Sequence, residues 1–160
     1  MTEVNELKII RVFDAPVERV WAAWSSPELV KQWWGPKDFT APTIRIDFRE
    51  GGKYLYAMHG PADSEYDVDM WNTGVYKEIV PNVRIVYTNS FSDAEGNPVP
   101  ASTYGMNEFP DEILVTAEFE SSEDGKTRLT LTHVGIPTGM QADNMVIGWN
   151  QSLDKFAATL

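Results

Sequence analysis

The segment from about Gly139 to Leu160 sets the strongest limit on what this chain can fold into. Met145, Val146, Trp149, Leu153, Phe156, Ala157 and Leu160 recur there at three- and four-residue steps, the spacing of one broad apolar stripe along a helix. The chain ahead of it reads largely as strands, so the stripe must be buried against a sheet. Two runs just before the helix show what kind of sheet. In residues 112–120 and 126–134, joined by SSEDG, Val115, Ala117 and Phe119 line up, as do Leu129, Leu131 and His133, while Thr116, Glu118, Arg128 and Thr130 fall on the other side. Period-two alternation with one polar side describes antiparallel strands packed on one face.

The remaining elements follow from the same periodicities. Residues 6–13 form a strand rich in β-branched side chains. Asp14 or Ala15 then caps a short helix with Pro16 in its first turn, where a missing N–H costs nothing; Val17, Val20, Trp21 and Trp24 share its apolar face. Ser25 and Ser26 before Pro27 start a second short helix with Leu29, Val30 and Trp33 inward, and Gly35-Pro36 ends it. Strands are expected over 43–48 and 53–59 around Gly51-Gly52, and over 73–80 and 83–91 around Pro81-Asn82. Gly74 marks a possible bulge, and the parity of Trp71 conflicts with that of Tyr76. Residues 92–110 show no clear periodicity. A loop this long inside a compact domain reads as a lid, with Tyr104, Met106 and Phe109 over a cavity mouth and Gly96 and Gly105 as hinges. The order of one strand, two short helices, six strands and a long helix is α+β. One curved antiparallel sheet wraps the last helix, the short helices close one end, and residues 1–160 form a single domain.

Charge and composition narrow the function. The formal net charge is −11, from 13 basic and 24 acidic residues, which argues against nucleic acid or an anionic membrane as partner. No run of about 18 apolar residues predicts membrane insertion, and no basic-then-apolar start predicts export, so a cytoplasmic protein is expected. There is no cysteine and there are only two histidines, too few for a zinc site. Asp63, Glu65, Asp67 and Asp69 lack the glycine and spacing of a calcium loop and read as a solvated connection. No phosphate loop, dinucleotide fingerprint or nucleophile elbow is present, and no metal or cofactor is expected.

The runs RVFDAPVERVWAAWSSPELVKQWWGP, DFREGGKYLY, GVYKEIVPNVRIVYTNSF, TRLTLTHVGIP and GWNQSLDKFAATL, in this order over essentially the whole chain, closely resemble the bacterial proteins related to the activator of heat-shock protein 90 ATPase. These belong to the START-like, Bet v 1-like (SRPBCC) superfamily. The resemblance implies a helix-grip fold with a cavity between sheet and C-terminal helix, and short helices beside the cavity entrance. It implies function loosely, because the same fold serves lipid carriers, polyketide cyclases, hormone receptors and co-chaperones.

On this view Trp33 and Trp34 stand at the site, with Trp34 at the mouth, where an amphipathic ring suits a polar edge. Tyr54, Tyr56, Met58, Tyr76, Tyr87, Asn89 and His133 fall on inward strand faces, and Tyr104, Met106, Met145 and Trp149 complete the expected lining. So many inward hydroxyls suit a cavity better than a dry core, since each buried polar tip needs a partner. Three functions fit. The first is a carrier of a small apolar or aromatic ligand, lipid- or polyketide-like. The second is a cyclase or hydratase using His133, Tyr56, Tyr76 and Glu78. The third is a co-chaperone-like module for a heat-shock ATPase, although in eukaryotic namesakes a separate N-terminal domain makes much of that contact. A homodimer through the Trp34 rim or the lid edge is compatible with all three.

Overall fold

A computed structural model of the chain describes residues 6–104, 110–135 and 140–160, with the backbone alone for 140–142 and 144. Its strands are β1 (Glu6–Phe13), β2 (Thr40–Ile46), β3 (Lys53–His59), β4 (Asp69–Val80), β5 (Arg84–Ser92), β6 (Ile113–Ser121) and β7 (Thr127–Val134). They form one curved sheet in the order β1-β7-β6-β5-β4-β3-β2, antiparallel throughout. Helices α1 (Val17–Ser25) and α2 (Pro27–Trp33) carry the chain from edge strand β1 to the opposite edge, β2; α3 (Met140–Ala157) follows β7.

The alternation read from β6 and β7 sets the core. Phe119, Ala117 and Val115 are buried and pair with the buried Leu129, Leu131 and His133, and Ile9 of β1 extends the row beside Leu131. On the other face Glu118 and Arg128 meet solvent. Leu153 and Phe156 of α3 close over this surface, with the Phe156 ring 4.9 Å from Phe13 and 6.1 Å from Trp24. The C-terminal stripe is thus anchored at the β1 end of the sheet, where Arg11 also binds Asp154 at 2.9 Å. Helix α2 packs on β2 and α3, and α1 on β6. An α+β helix-grip fold results, as the sequence predicts.

Four local expectations are revised. Pro16 stands at the N-cap of α1, just outside its first turn, and neither Asp14 nor Ala15 caps the helix. β2 begins at Thr40 and takes in Pro42, with a register shift between Thr40 and Thr43; a proline is tolerated there because the strand is an edge. β4 begins at Asp69, not at residue 73. Its first half escapes a period-two reading because both faces are covered, with Tyr54, Tyr56 and Asn72 buried on one side and Leu55, Ala57 and Thr73 on the other. Trp71 belongs to that second face, paired with Ala57 and Ser92. The register shift in β4 lies between Tyr76 and Glu78, not at Gly74.

The stretch after β5 also carries more structure than its sequence predicts. Asp93 Oδ1 accepts from the amides of Glu95 and Asn97, both at 2.9 Å, and Ser92 bridges to Pro98. A 3₁₀ turn spans Ala101–Tyr104. Met106, Phe109 and the hinge Gly105 lie outside the described residues.

Candidate functional site

Two adjacent tryptophans take different directions because α2 ends between them. Trp33 is the last helical residue; its ring is buried and its Nε1–H donates to the Ala23 carbonyl at 2.9 Å. Trp34 is the C-cap with extended backbone angles, and Gly35 follows at φ +98°, a left-handed conformation that suits glycine. This turn swings the Trp34 ring off the helix and onto Tyr56 and Trp149, with centroids at 4.9 and 5.6 Å.

Beyond Trp34 lies a partly open cavity of about 240 Å³. One wall is α3, through Met145, Gly148, Trp149 and Ser152; the opposite wall is the sheet, through Met58, Asn72, Tyr87, Asn89, Phe91, Val115 and His133. Trp34, Gly35 and Pro36 close the α2 end. The cavity exists because α3 is tied down at the β1 side while the sheet curves on past it. At Gly148 a Cβ would stand 3.5 Å from Pro36, an ordinary van der Waals contact, so helix and loop adjoin at this wall. Gln151 and Lys155 also hold that loop: Gln151 accepts from the Lys37 amide, and the Lys155 ammonium donates to the Pro36 and Phe39 carbonyls.

The lining is apolar with a few uncharged polar groups. Asn89 donates to the Tyr54 hydroxyl at 2.9 Å, and that hydroxyl donates to the Thr88 carbonyl at 2.6 Å. His133 is 1% exposed, and its Nδ1 is buried with no hydrogen-bond partner. Desolvation pushes its pKa down to about 4, so at neutral pH the imidazole is uncharged. Among the described residues no Asp, Glu, Lys or Arg lines the cavity, and no group of three or more His, Asp or Glu is placed to hold a metal ion.

The structure brings together Trp34, Met58, Tyr87, Asn89, His133, Met145 and Trp149 of the residues expected at the site. Trp33 does not reach the cavity. With Trp24, Trp34 and the four inward tyrosines it surrounds a much smaller void. Tyr54, Tyr56 and Tyr76 likewise stack into a plug beneath the cavity, with Tyr54 4.7 Å from Tyr56 and 5.6 Å from Tyr76. The Tyr76 hydroxyl makes no hydrogen bond of normal geometry, although the Tyr56 hydroxyl is close enough to perturb it. Burial raises the pKa of all four tyrosines, so they stay neutral phenols. Tyr104 is one layer out: its ring packs on Phe91 at 5.4 Å, its hydroxyl donates to the Ser92 carbonyl at 2.5 Å, and the Trp71 amide donates to it.

Glu78 is the clearest displacement. The bulge before it reverses strand parity, so Ile79 packs on the core while Glu78 turns outward and pairs with Arg84 at 2.6 Å. Its side chain is 41% exposed. The acidic connection also has a partner that its sequence does not announce, because His59 bonds Asp67 and Asp69, each at 2.7 Å.

Several further residues line the cavity. Phe91 and Val115 share the inward parity of Tyr87 and Phe119, which the strand alternation shows. Gly148 and Ser152 are small residues one helical turn from Met145 and Trp149, and small residues inside an apolar stripe mark a close approach or a space. Asn72 is lost with the late start assigned to β4.

A curved antiparallel sheet gripping a C-terminal helix, with a cavity between them, defines a ligand-binding module of the START-like, Bet v 1-like class. Residues 14–160 match the family described as activator of Hsp90 ATPase homolog 1-like protein, and the chain belongs to that family. Its fold is shared with a protein of Chromobacterium violaceum at 30% identity and TM-score 0.78, over 97% of this chain and 96% of that one. A protein of Arthrobacter aurescens is 26% identical with TM-score 0.77, over 98% and 90% of the two chains. An AHSA1-like protein of Aeromonas hydrophila, at 19% identity and TM-score 0.69 over 96% and 90%, shares the fold alone. No curated protein matches the chain.

Proposed function

We propose that the protein holds a small apolar or aromatic molecule between its sheet and α3 without transforming it. The observation that carries this reading is the cavity of about 240 Å³, lined mainly by aromatic, methionine and valine side chains. An apolar cavity of about 150 Å³ accommodates benzene, so this space suits a guest of one or two rings. Trp34 and Trp149 supply flat faces for such a guest, and Met58 and Met145 adapt to its outline.

Catalysis is less well supported. Proton transfer needs a titrating group poised near the working pH, and acid–base pairs need two. His133 is held neutral by burial, Glu78 faces outward, and the tyrosine hydroxyls are pushed away from ionisation. A role on a heat-shock ATPase rests on the family's description alone.

Native mass spectrometry of the protein purified from its own host, with extraction of whatever is bound, tests the proposal. A stoichiometric small molecule recovered unchanged is the expected result, with occupancy falling in Val115→Phe, which fills the cavity. An empty protein that co-purifies with a heat-shock ATPase would overturn it.

A further inference from the structure

If the cavity is a container, its polar groups define the kind of guest. Asn72 and Ser152 are buried polar residues that line the cavity. His133 Nδ1 and Trp34 Nε1 are both buried and unpartnered. A native fold leaves such groups orphaned at a cost unless something else satisfies them. None of these groups is charged. The cations of α3 and its neighbour strand are committed elsewhere, Lys155 to the Pro36 and Phe39 carbonyls and Arg11 to Asn150 and Asp154.

We propose that the guest is an uncharged aromatic molecule bearing one hydroxyl or carbonyl group, bound with that group against His133, and that the matching carboxylates are excluded. This rests on the container reading above and specifies its ligand class. A neutral imidazole offers one N–H donor and one lone pair. A hydroxyl matches either and a carbonyl matches the donor. A carboxylate buried here would have no counter-ion, and an unpaired buried charge is strongly disfavoured. The protein's net charge of −11 opposes its approach as well. A cationic guest would fare no better inside, because no carboxylate lines the described cavity.

Equilibrium dialysis at pH 7.5 with naphthalene, 2-naphthol and 2-naphthoate separates the possibilities. The expected order is 2-naphthol about ten-fold tighter than naphthalene, from one hydrogen bond, with 2-naphthoate on the order of 100-fold weaker than 2-naphthol. In His133→Leu the ratio of 2-naphthol to naphthalene affinity falls to about one. 2-Naphthoate binding as tightly as 2-naphthol, or an unchanged ratio in His133→Leu, would overturn the inference while leaving the container in place. Failure of all three probes to bind would overturn both.

Discussion

The two histidines show how burial and partners set opposite behaviour in one side-chain type. His133 is enclosed by the cavity wall and Trp149, whose ring is 5.4 Å away, and its pKa falls to about 4 from an ordinary 6.5. The unfolded chain therefore takes up a proton before the folded one does. The stabilisation is complete above pH 6.5 and is lost as pH falls from 6.5 towards 4, amounting to about 3 kcal/mol. His59 is the reverse case. Its hydrogen bonds to Asp69 and Asp67 raise its pKa, so its contribution is present below pH 6.5 and disappears as pH climbs past the raised value. Urea unfolding from pH 7 to 4 is expected to show a steep loss of stability in the wild type and a flatter one in His133→Leu. Equal slopes would mean that His133 is solvated. The inward position of His133 is legible from β7 alternation, but its orphaned nitrogen is not, because hydrogen-bond partners come from other elements.

At the scale of the element, β4 decides the most. Its register holds from Asn72 opposite Phe91 to Tyr76 opposite Tyr87, then slips by one residue so that Glu78 meets Val86. A slip of one residue moves every later side chain to the other face, which sends Glu78 out to Arg84. Gly74 serves a different purpose in the same strand. A Cβ there would stand 1.8 Å from the Thr88 carbonyl oxygen and 2.7 Å from the Tyr54 ring. The close approach sits where the Tyr54 hydroxyl meets Thr88, and Gly74 permits both. Gly74→Ala is expected to cost roughly 3 kcal/mol, lowering the melting temperature by about 10 °C in calorimetry. A change within 1 °C would show that the strands part easily there. A glycine in a strand is readable as a bulge or as a close approach, and only the neighbouring strand distinguishes the two.

For the whole molecule, the cavity is a product of assembly. Trp34 comes from the end of α2, Met145 and Trp149 from α3, and Met58, Tyr87 and His133 from three separate strands. The unfolded chain has no such surface, so a guest stabilises the folded state by mass action. With 2-naphthol at 100 times its Kd, stability should rise by about 2.7 kcal/mol, or roughly 5–10 °C in a melting experiment. In Val115→Phe the rise should vanish; an equal rise in both proteins would place the binding elsewhere.

The sequence by itself determined the α+β class, the element order and the inward face of most strands, because these depend on periodicity and on turn chemistry within a few residues. It also placed Trp33 and Trp34 at the end of a helix, since Gly35-Pro36 follows them directly. Only the tertiary structure decided that Trp33 is core while Trp34 meets the cavity, and that Tyr54, Tyr56 and Tyr76 plug its floor while Tyr87 and Asn89 line it. Those assignments depend on where α3 lies against a curved sheet. That position is set by contacts such as Phe13 with Phe156 and Arg11 with Asp154, between residues far apart in the chain, which no local pattern encodes.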